Sequence, residues 1–441
     1  MKREAFVKEL LALAKNRGCQ QAEVFEAWSE DFAVNVCDGE FDRYESAATD
    51  GLSLRVKVSG KDGYAFTQAF EEPEILVQKA MDNARAIESE DDHPMQVGGL
   101  AYETVTGQPS PFAALSEQER IALAVKMEAV AKAADPRVLR LMDCEVGVTK
   151  GGVAMENTLG LSVSREAGMS YCYAVPVIQE GEEVRIGFAF RRGREAMDVE
   201  ACAREAVQVA VEKLGAKPVP SGEYAVILKN GAASALLSGF SGIFSAAAAQ
   251  KGLSLLKDME GQTVGSGTVT IWDDPFHPIA PRAFDGEGTP TKKKAVVEAG
   301  ILKTLLHNLK TAKKAGVEST GNASRPSAAS TVGVGTHVFY MEPGQERLEA
   351  LQERMGSGLV ITDLEGLHAG LNPISGDFSL KAEGYLVENG KKVRPVNEIT
   401  VAGNFLKLLK AVEAVGSDLE FHQGSTAAPS LLISGLSVGG M

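Results

Sequence analysis

The chain has 441 residues, 44% hydrophobic and 24% charged, which excludes a disordered or fibrous protein and exceeds what one hydrophobic core organises. Its net charge of −14 removes the electrostatic basis for a nucleic-acid role, and the run Lys292, Lys293 and Lys294 reads as a solvated strand edge. Five cysteines without C-x-x-C spacing, and a start whose apolar positions are broken by Lys8, Glu9 and Lys15, point to a reducing, cytoplasmic setting without export.

In chain order, the first half reads as one α+β arrangement written twice. In residues 1–110, Phe32, Val34 and Val36 alternate with polar or small residues, as do Leu52, Leu54, Val56 and Val58, the pattern of half-buried antiparallel strands. A helix entered through Pro73 carries Leu76, Ala80, Ala84 and Ile87 on one face, and Glu88 to Asp92 make an acidic linker. In residues 111–217, Ser116 and Glu119 form a capping box for a helix ending before Pro136. Strands follow at Cys144–Val148 and at Leu161–Val163, and Val184, Ile186, Phe188 and Phe190 keep a two-residue period. A helix with Val199, Cys202, Ala206 and Ala210 on one side completes the unit. Gly51 to Leu54 and Gly160 to Val163 fall at matching places in the two copies.

After the Pro-rich linker Lys217–Gly222, residues 218–441 make a larger, mixed, strand-rich domain. It opens with a strand at Tyr224–Leu228 and a helix of small residues within Asn230–Gln250. That stretch is uncharged and long enough to cross a bilayer, but its Gly, Ser and Ala content fits burial in the protein instead. A strand is expected at Thr268–Trp272, helices at Glu346–Met355 and Asn404–Val415, and a hairpin at Asn389-Gly390.

Chemical motifs are sparse. Gly435 to Gly439 matches G-x-S-x-G, yet only two residues follow and a nucleophile elbow requires a helix there. The glycine-rich Gly265 to Thr268 leads into a strand, which reads as a turn and not a phosphate loop. Asn322-Ala323-Ser324 has the form of a glycosylation acceptor, which is empty without export. Six histidines show no helical zinc spacing; His337, His368 and His422 are the trio that folding could bring together.

The third domain resembles the C-terminal domain of the TldD/PmbA (TldD/TldE) family. The resemblance rests on ordered segments: Phe284-Asp285-Gly286-Glu287-Gly288-Thr289-Pro290, Val296 to Lys303, Ser319-Thr320-Gly321-Asn322, Ile374-Ser375-Gly376-Asp377-Phe378-Ser379, Gly384 to Gly390 and Pro395 to Asn404. It implies a zinc peptidase built from a TldD-type chain, with a His-Glu-x-x-x-His helix and a C-terminal cysteine ligand, and a PmbA/TldE-type chain. From Lys229 through Lys257 there is no His, Asp, Glu or Cys, and no cysteine follows Cys202, so this chain is similar to the PmbA/TldE partner. The implied role is a subunit that binds no metal itself, relies on zinc in a TldD-type partner, closes a chamber and positions unfolded or extended peptides. Within that reading, the acidic turn and the loops of the third domain make Asp285, Glu287, Thr289, His368 and Asp377 the candidate peptide or partner contacts. A homo-oligomer in the partner's absence, a non-catalytic modulator of another protein, and an independent peptidase with a divergent metal site are the alternative readings.

Overall fold

In the computed structural model, which describes residues 2–88, 92–106 and 111–441, the alternating segments of the first half become one seven-stranded sheet. The first unit runs α1 (Arg3–Asn16), β1 (Gln21–Cys37), β2 (Glu40–Val58), β3 (Lys61–Thr67) and α2 (Pro73–Ala86). The second runs α3 (Glu117–Ala134), β4 (Val138–Asn157), β5 (Ser162–Glu180), β6 (Glu183–Ile186), β7 (Ala189–Arg192) and α4 (Val199–Glu212). The order is β3-β2-β1-β4-β5-β6, with β7 also on β5, and the two units fuse through an antiparallel β1–β4 ladder from Glu23↔Asn157 to Asn35↔Glu145.

Alternation along β1 decides what each face buries. Ala22 and Val24 join the core of α1 and α2 with Phe6, Leu10, Leu54 and Val77, while Phe32, Val34 and Val36 join that of α3 and α4 with Met127, Cys144 and Cys202. The odd-numbered Glu23 and Phe25 point to the other face, toward the third domain. Ser116 and Glu119 form the expected capping box of α3.

The duplication shows best at two glycines. A Cβ on Gly63 would lie 2.0 Å from the Ala80 carbonyl of α2, and one on Gly187 would lie 1.9 Å from the Ala206 carbonyl of α4. Each permits the same close approach of the sheet's backbone to the closing helix of its unit, from β3 at Gly63 and from between β6 and β7 at Gly187. The expected match of Gly51 with Gly160 does not hold: Gly51 lies in mid-β2, whereas Gly160 (φ 84°) turns the chain before β5. Gly187 also splits the row at Val184–Phe190 into β6 and β7, and Val184, Ile186 and Phe188 stay exposed because α4 covers the opposite side at Ala189. Of the acidic linker, Ser89, Glu90 and Asp91 lie outside the described residues; Asp92 binds Lys57 at 2.7 Å and also meets Lys313.

The linker at Lys217 is clamped by Arg394, whose guanidinium donates to the carbonyls of Lys217 (2.6 Å) and Pro218 (3.0 Å). The third domain is built on β8 (Gly222–Leu228), flanked by Gly358–Glu365 in parallel and Leu431–Gly439 antiparallel. Asp377–Glu388 and Lys391–Asn404 continue this sheet, and the latter pairs back onto Leu431–Gly439, so five strands close on themselves. The hairpin uses Asn389 (φ 50°) and Gly390 (φ 73°), the left-handed pair that a tight two-residue turn needs. A second sheet contains Ile271–Asp274, Lys294–Glu298 and Val338–Met341.

Local chemistry moved several expected boundaries. The small-residue segment is not one helix: α5 (Asn230–Phe240) and α6 (Ala246–Gln250) are separated by a turn at Ser241–Phe244, and the Ser245 hydroxyl caps the second. The helix capped by Asn404 ends at Lys410, and Val412–Val415, rich in β-branched residues, is a strand. The strand expected from Thr268 begins at Ile271. Of the lysine run, Lys292 and Lys293 are exposed, with Lys293 paired to Asp274 at 2.9 Å, but Lys294 turns inward and binds the buried Asp273 at 3.0 Å. Among the described residues no helix is long and apolar enough to cross a membrane.

Candidate functional site

The acidic turn of the third domain is organised by one buried carboxylate. Asp285 Oδ1 accepts hydrogen bonds from the Glu287 and Thr289 amides at 2.9 and 3.0 Å, and Oδ2 accepts from the Ala323 amide at 2.8 Å. Glu287 Oε2 accepts from the Leu309 amide at 2.9 Å, and Oε1 meets His93 Nε2. The Thr289 hydroxyl bonds Gln96 Oε1 at 3.0 Å, and the Tyr102 hydroxyl donates to the Gly288 carbonyl at 2.8 Å. Residues 93–102 thus stitch the first unit to this turn.

Burial, reinforced for Asp285 by the neighbouring Glu287, pushes both carboxyls well above the usual carboxylate range. Burial, with the Arg55 charge nearby, pushes His93 down to about 3. Both shifts favour neutral groups, so the Glu287–His93 contact is a hydrogen bond between acid and imidazole more than an ion pair. Around it Arg55 bonds Asp62 (3.1 Å), and Arg325 bonds Ser53 (2.7 Å) and Glu23 (3.3 Å) while lying over the Phe25 ring. Asp285, Glu287 and Thr289 are therefore brought together at a seam inside the chain, with their polar atoms taken by intrachain partners.

His368 and Asp377 are exposed, on either side of the bridge between Leu371 and Phe378. Asp377 accepts a hydrogen bond from Asn404 Nδ2 at 2.9 Å, and this bond, together with Ser375, holds its carboxyl below the usual range. The segment rests on α5: a Cβ at Gly239 would fall 2.3 Å from Leu371 Cδ1. The structure thus separates the five residues into a buried seam and an exposed loop.

A zinc site requires three or four convergent donors. The side chains of α5 are Asn, Ala, Ser, Leu and Phe, and they are already engaged: Asn230 donates to the Asp418 carbonyl at 3.0 Å, the Ser234 hydroxyl accepts from the Ala428 amide at 2.8 Å, and Phe240 stacks on Phe405 at 4.5 Å. His422 Nε2 is buried without a partner, 3.9 Å from the point a Gly231 Cβ would occupy, yet its nearest carboxylate, on Glu420, is 3.9 Å from Nδ1. His337 is buried elsewhere, with Nε2 2.6 Å from the Gly321 carbonyl, and burial pushes it down to about 4. The trio of histidines is not assembled, and among the described residues no group of three His, Cys, Asp or Glu could hold a metal ion. The residues present do not fit zinc.

His93, Arg55 and Arg325 carry the seam, and no motif marks them in the sequence. The one available signal was an arginine directly after Asn322-Ala323-Ser324, three residues past the segment that carries the family resemblance.

Comparison with known proteins follows the same layout. Domain 1 of the PmbA/TldA metallopeptidases matches residues 22–84, their central domain residues 110–214, and their C-terminal domain residues 221–440. The metalloprotease PmbA of Escherichia coli O157:H7 is 27% identical, with 98% of this chain and 96% of that protein aligned. A crystal structure from Thermotoga maritima, described as a candidate modulator of a DNA gyrase, is 35% identical with a TM-score of 0.91, covering 99% of this chain and 100% of that one. TldE from Thermococcus kodakarensis, at 24% identity, has a TM-score of 0.88 over 99% of this chain and 100% of its own, a likeness of fold.

Proposed function

Because the chain belongs to the PmbA/TldD metallopeptidase family, we propose that it is the non-metal-binding subunit of a heteromeric zinc peptidase that acts in the cytoplasm on unfolded or extended peptides. The observation that carries this reading is α5. The helix that follows β8, where the family resemblance puts the metal helix, offers no ligand side chain and is filled instead by Ala, Leu and Phe packed into the core. Hydrolysing an amide needs a polarised carbonyl and an activated water. A TldD-type partner supplies both through its zinc; this chain supplies shape, exclusion of bulk water and a surface on which peptide or partner is held. His368 and Asp377, on the exposed loop over α5, are the contact residues. Asp285, Glu287 and Thr289 act indirectly, by fixing the third domain against the sheet.

Metal analysis of the purified chain tests this. The expected result is far less than one zinc per chain. One tightly held zinc, released by His422→Ala, would overturn the reading in favour of a divergent metal site.

A further inference from the structure

β5 leaves part of its edge open. β4 pairs with it along nearly its full length, but on the other side β7 covers only Tyr171–Ala174 and β6 only Val177–Glu180. Among the described residues no strand pairs with Ser162–Met169 on that side, so a row of main-chain donors and acceptors is left without a strand partner.

Arg165 lies in this open stretch, opposite Val153 of β4 and two residues from Val163, hence on the same face. Val153 and Val163 pack in one cluster with Ala283 and Phe284 of the third domain, which brings Arg282 to the same junction. Neither guanidinium has a hydrogen-bond or ion-pair partner among the described residues, and Arg165 Nε is fully buried and unsatisfied. Burial and the like charge of Arg282 push Arg165 down to about 10; burial also lowers Arg282, although the Asp273 carboxylate nearby partly offsets it. At the far end of the open edge, opposite Tyr171, Arg192 is on the same face, and its guanidinium donates to the Gly424 carbonyl at 2.8 Å. Arg165, desolvated and facing only the like charge of Arg282, forms with it a site that a carboxylate completes, because a guanidinium fork matches its two oxygens.

We propose that the open edge of β5 takes up an extended peptide as an added strand, and that Arg165 and Arg282 hold a carboxylate of that peptide. A peptide offers both the main-chain groups the edge needs and the anion the arginines need, which a nucleic acid does not. The proposal rests on the reading of this chain as a peptide-positioning subunit, and gives that role a surface.

The test is fluorescence anisotropy of the full chain with a peptide labelled at its N-terminus, prepared with a free C-terminal carboxylate, with a C-terminal amide, and with an internal Glu changed to Gln. Replacing the bound carboxylate should weaken binding about tenfold or more, and which change does so identifies the carboxylate held. Arg165→Met should abolish the difference between the peptides, and Arg282→Lys, which keeps the charge but loses the fork, should reduce it. Thermal unfolding of Arg165→Met should occur no lower than in the wild type, because the guanidinium holds no protein group. Equal affinity for all three peptides, no binding of any, or a loss of partner association in Arg165→Met with peptide binding unchanged would each overturn the proposal. Activity of a mixture with a TldD-type chain is read separately, so the site can fail while the subunit role stands.

Discussion

Arg325→Ala removes the side chain that ties the two halves of the chain together. Its guanidinium and the Glu23 carboxylate are each 1% exposed, 3.3 Å apart, although 302 positions separate them in sequence. The same guanidinium donates to Ser53 at 2.7 Å and lies 4.2 Å from the centre of the Phe25 ring. Truncation leaves Glu23 charged and buried without its partner, a change that typically costs about 3–5 kcal/mol. Arg55 is close enough to act on Glu23, so the lower end, about 3 kcal/mol, is expected. Urea unfolding monitored by hydrogen exchange in β1 and around Ala323 measures it. The double variant Glu23→Gln with Arg325→Ala should recover part of the loss, since no buried charge is stranded. A single-variant loss under about 0.5 kcal/mol, or strict additivity in the double, would refute the view that this pair holds the seam.

Three further outcomes follow from the same geometry. Asp285→Asn should destabilise the turn by about 1–3 kcal/mol in denaturant unfolding, because an amide NH2 must face the backbone N–H groups the carboxylate now accepts. Since the carboxyls of Asp285 and Glu287 are raised in the fold, their contribution is full below the ordinary values of 3.8 and 4.5 and fades as pH climbs toward about 8, whereas His93, lowered to about 3, loses stability as pH falls below 6.5. Glu287→Gln should shrink the alkaline limb, leaving the share of Asp285, without removing the acid limb, read as Leu309 amide exchange from about pH 5 to about pH 9. Gly390→Ala, at φ 73° and with its new Cβ 3.0 Å from Glu353 Cα, should lower stability by about 1–2 kcal/mol.

Periodicity made the long strands β1 and β2 legible, because each has one face in a core, Val34 and Leu54 being fully buried; at Val184–Phe190 the same period misled, since Val184, Ile186 and Phe188 stay exposed. Capping chemistry located the start of α3, and Asn389-Gly390 located a hairpin. Fusion of the two units through β1 and β4 was not legible, since strand pairing over more than a hundred residues leaves no local trace. Helix length failed at Val412–Val415, where pairing with Ile433, Leu432 and Leu431 outweighs the helical run before it. Of the site, the acidic turn could be read directly. Its inward orientation could not, because that depends on His93 and Gln96 arriving from another unit, and Arg165 and Arg282 meet only once the sheet and the third domain are stacked.

The central claim is that this chain contributes to peptide hydrolysis without holding the metal. Turnover of an unstructured peptide should be measured with this chain alone, a zinc-loaded TldD-type chain alone, and the two mixed. The account predicts no turnover by this chain and clear activity in the mixture, with zinc content set entirely by the partner. A mixture no more active than the TldD-type chain alone would contradict it and leave a non-catalytic modulator as the reading to pursue.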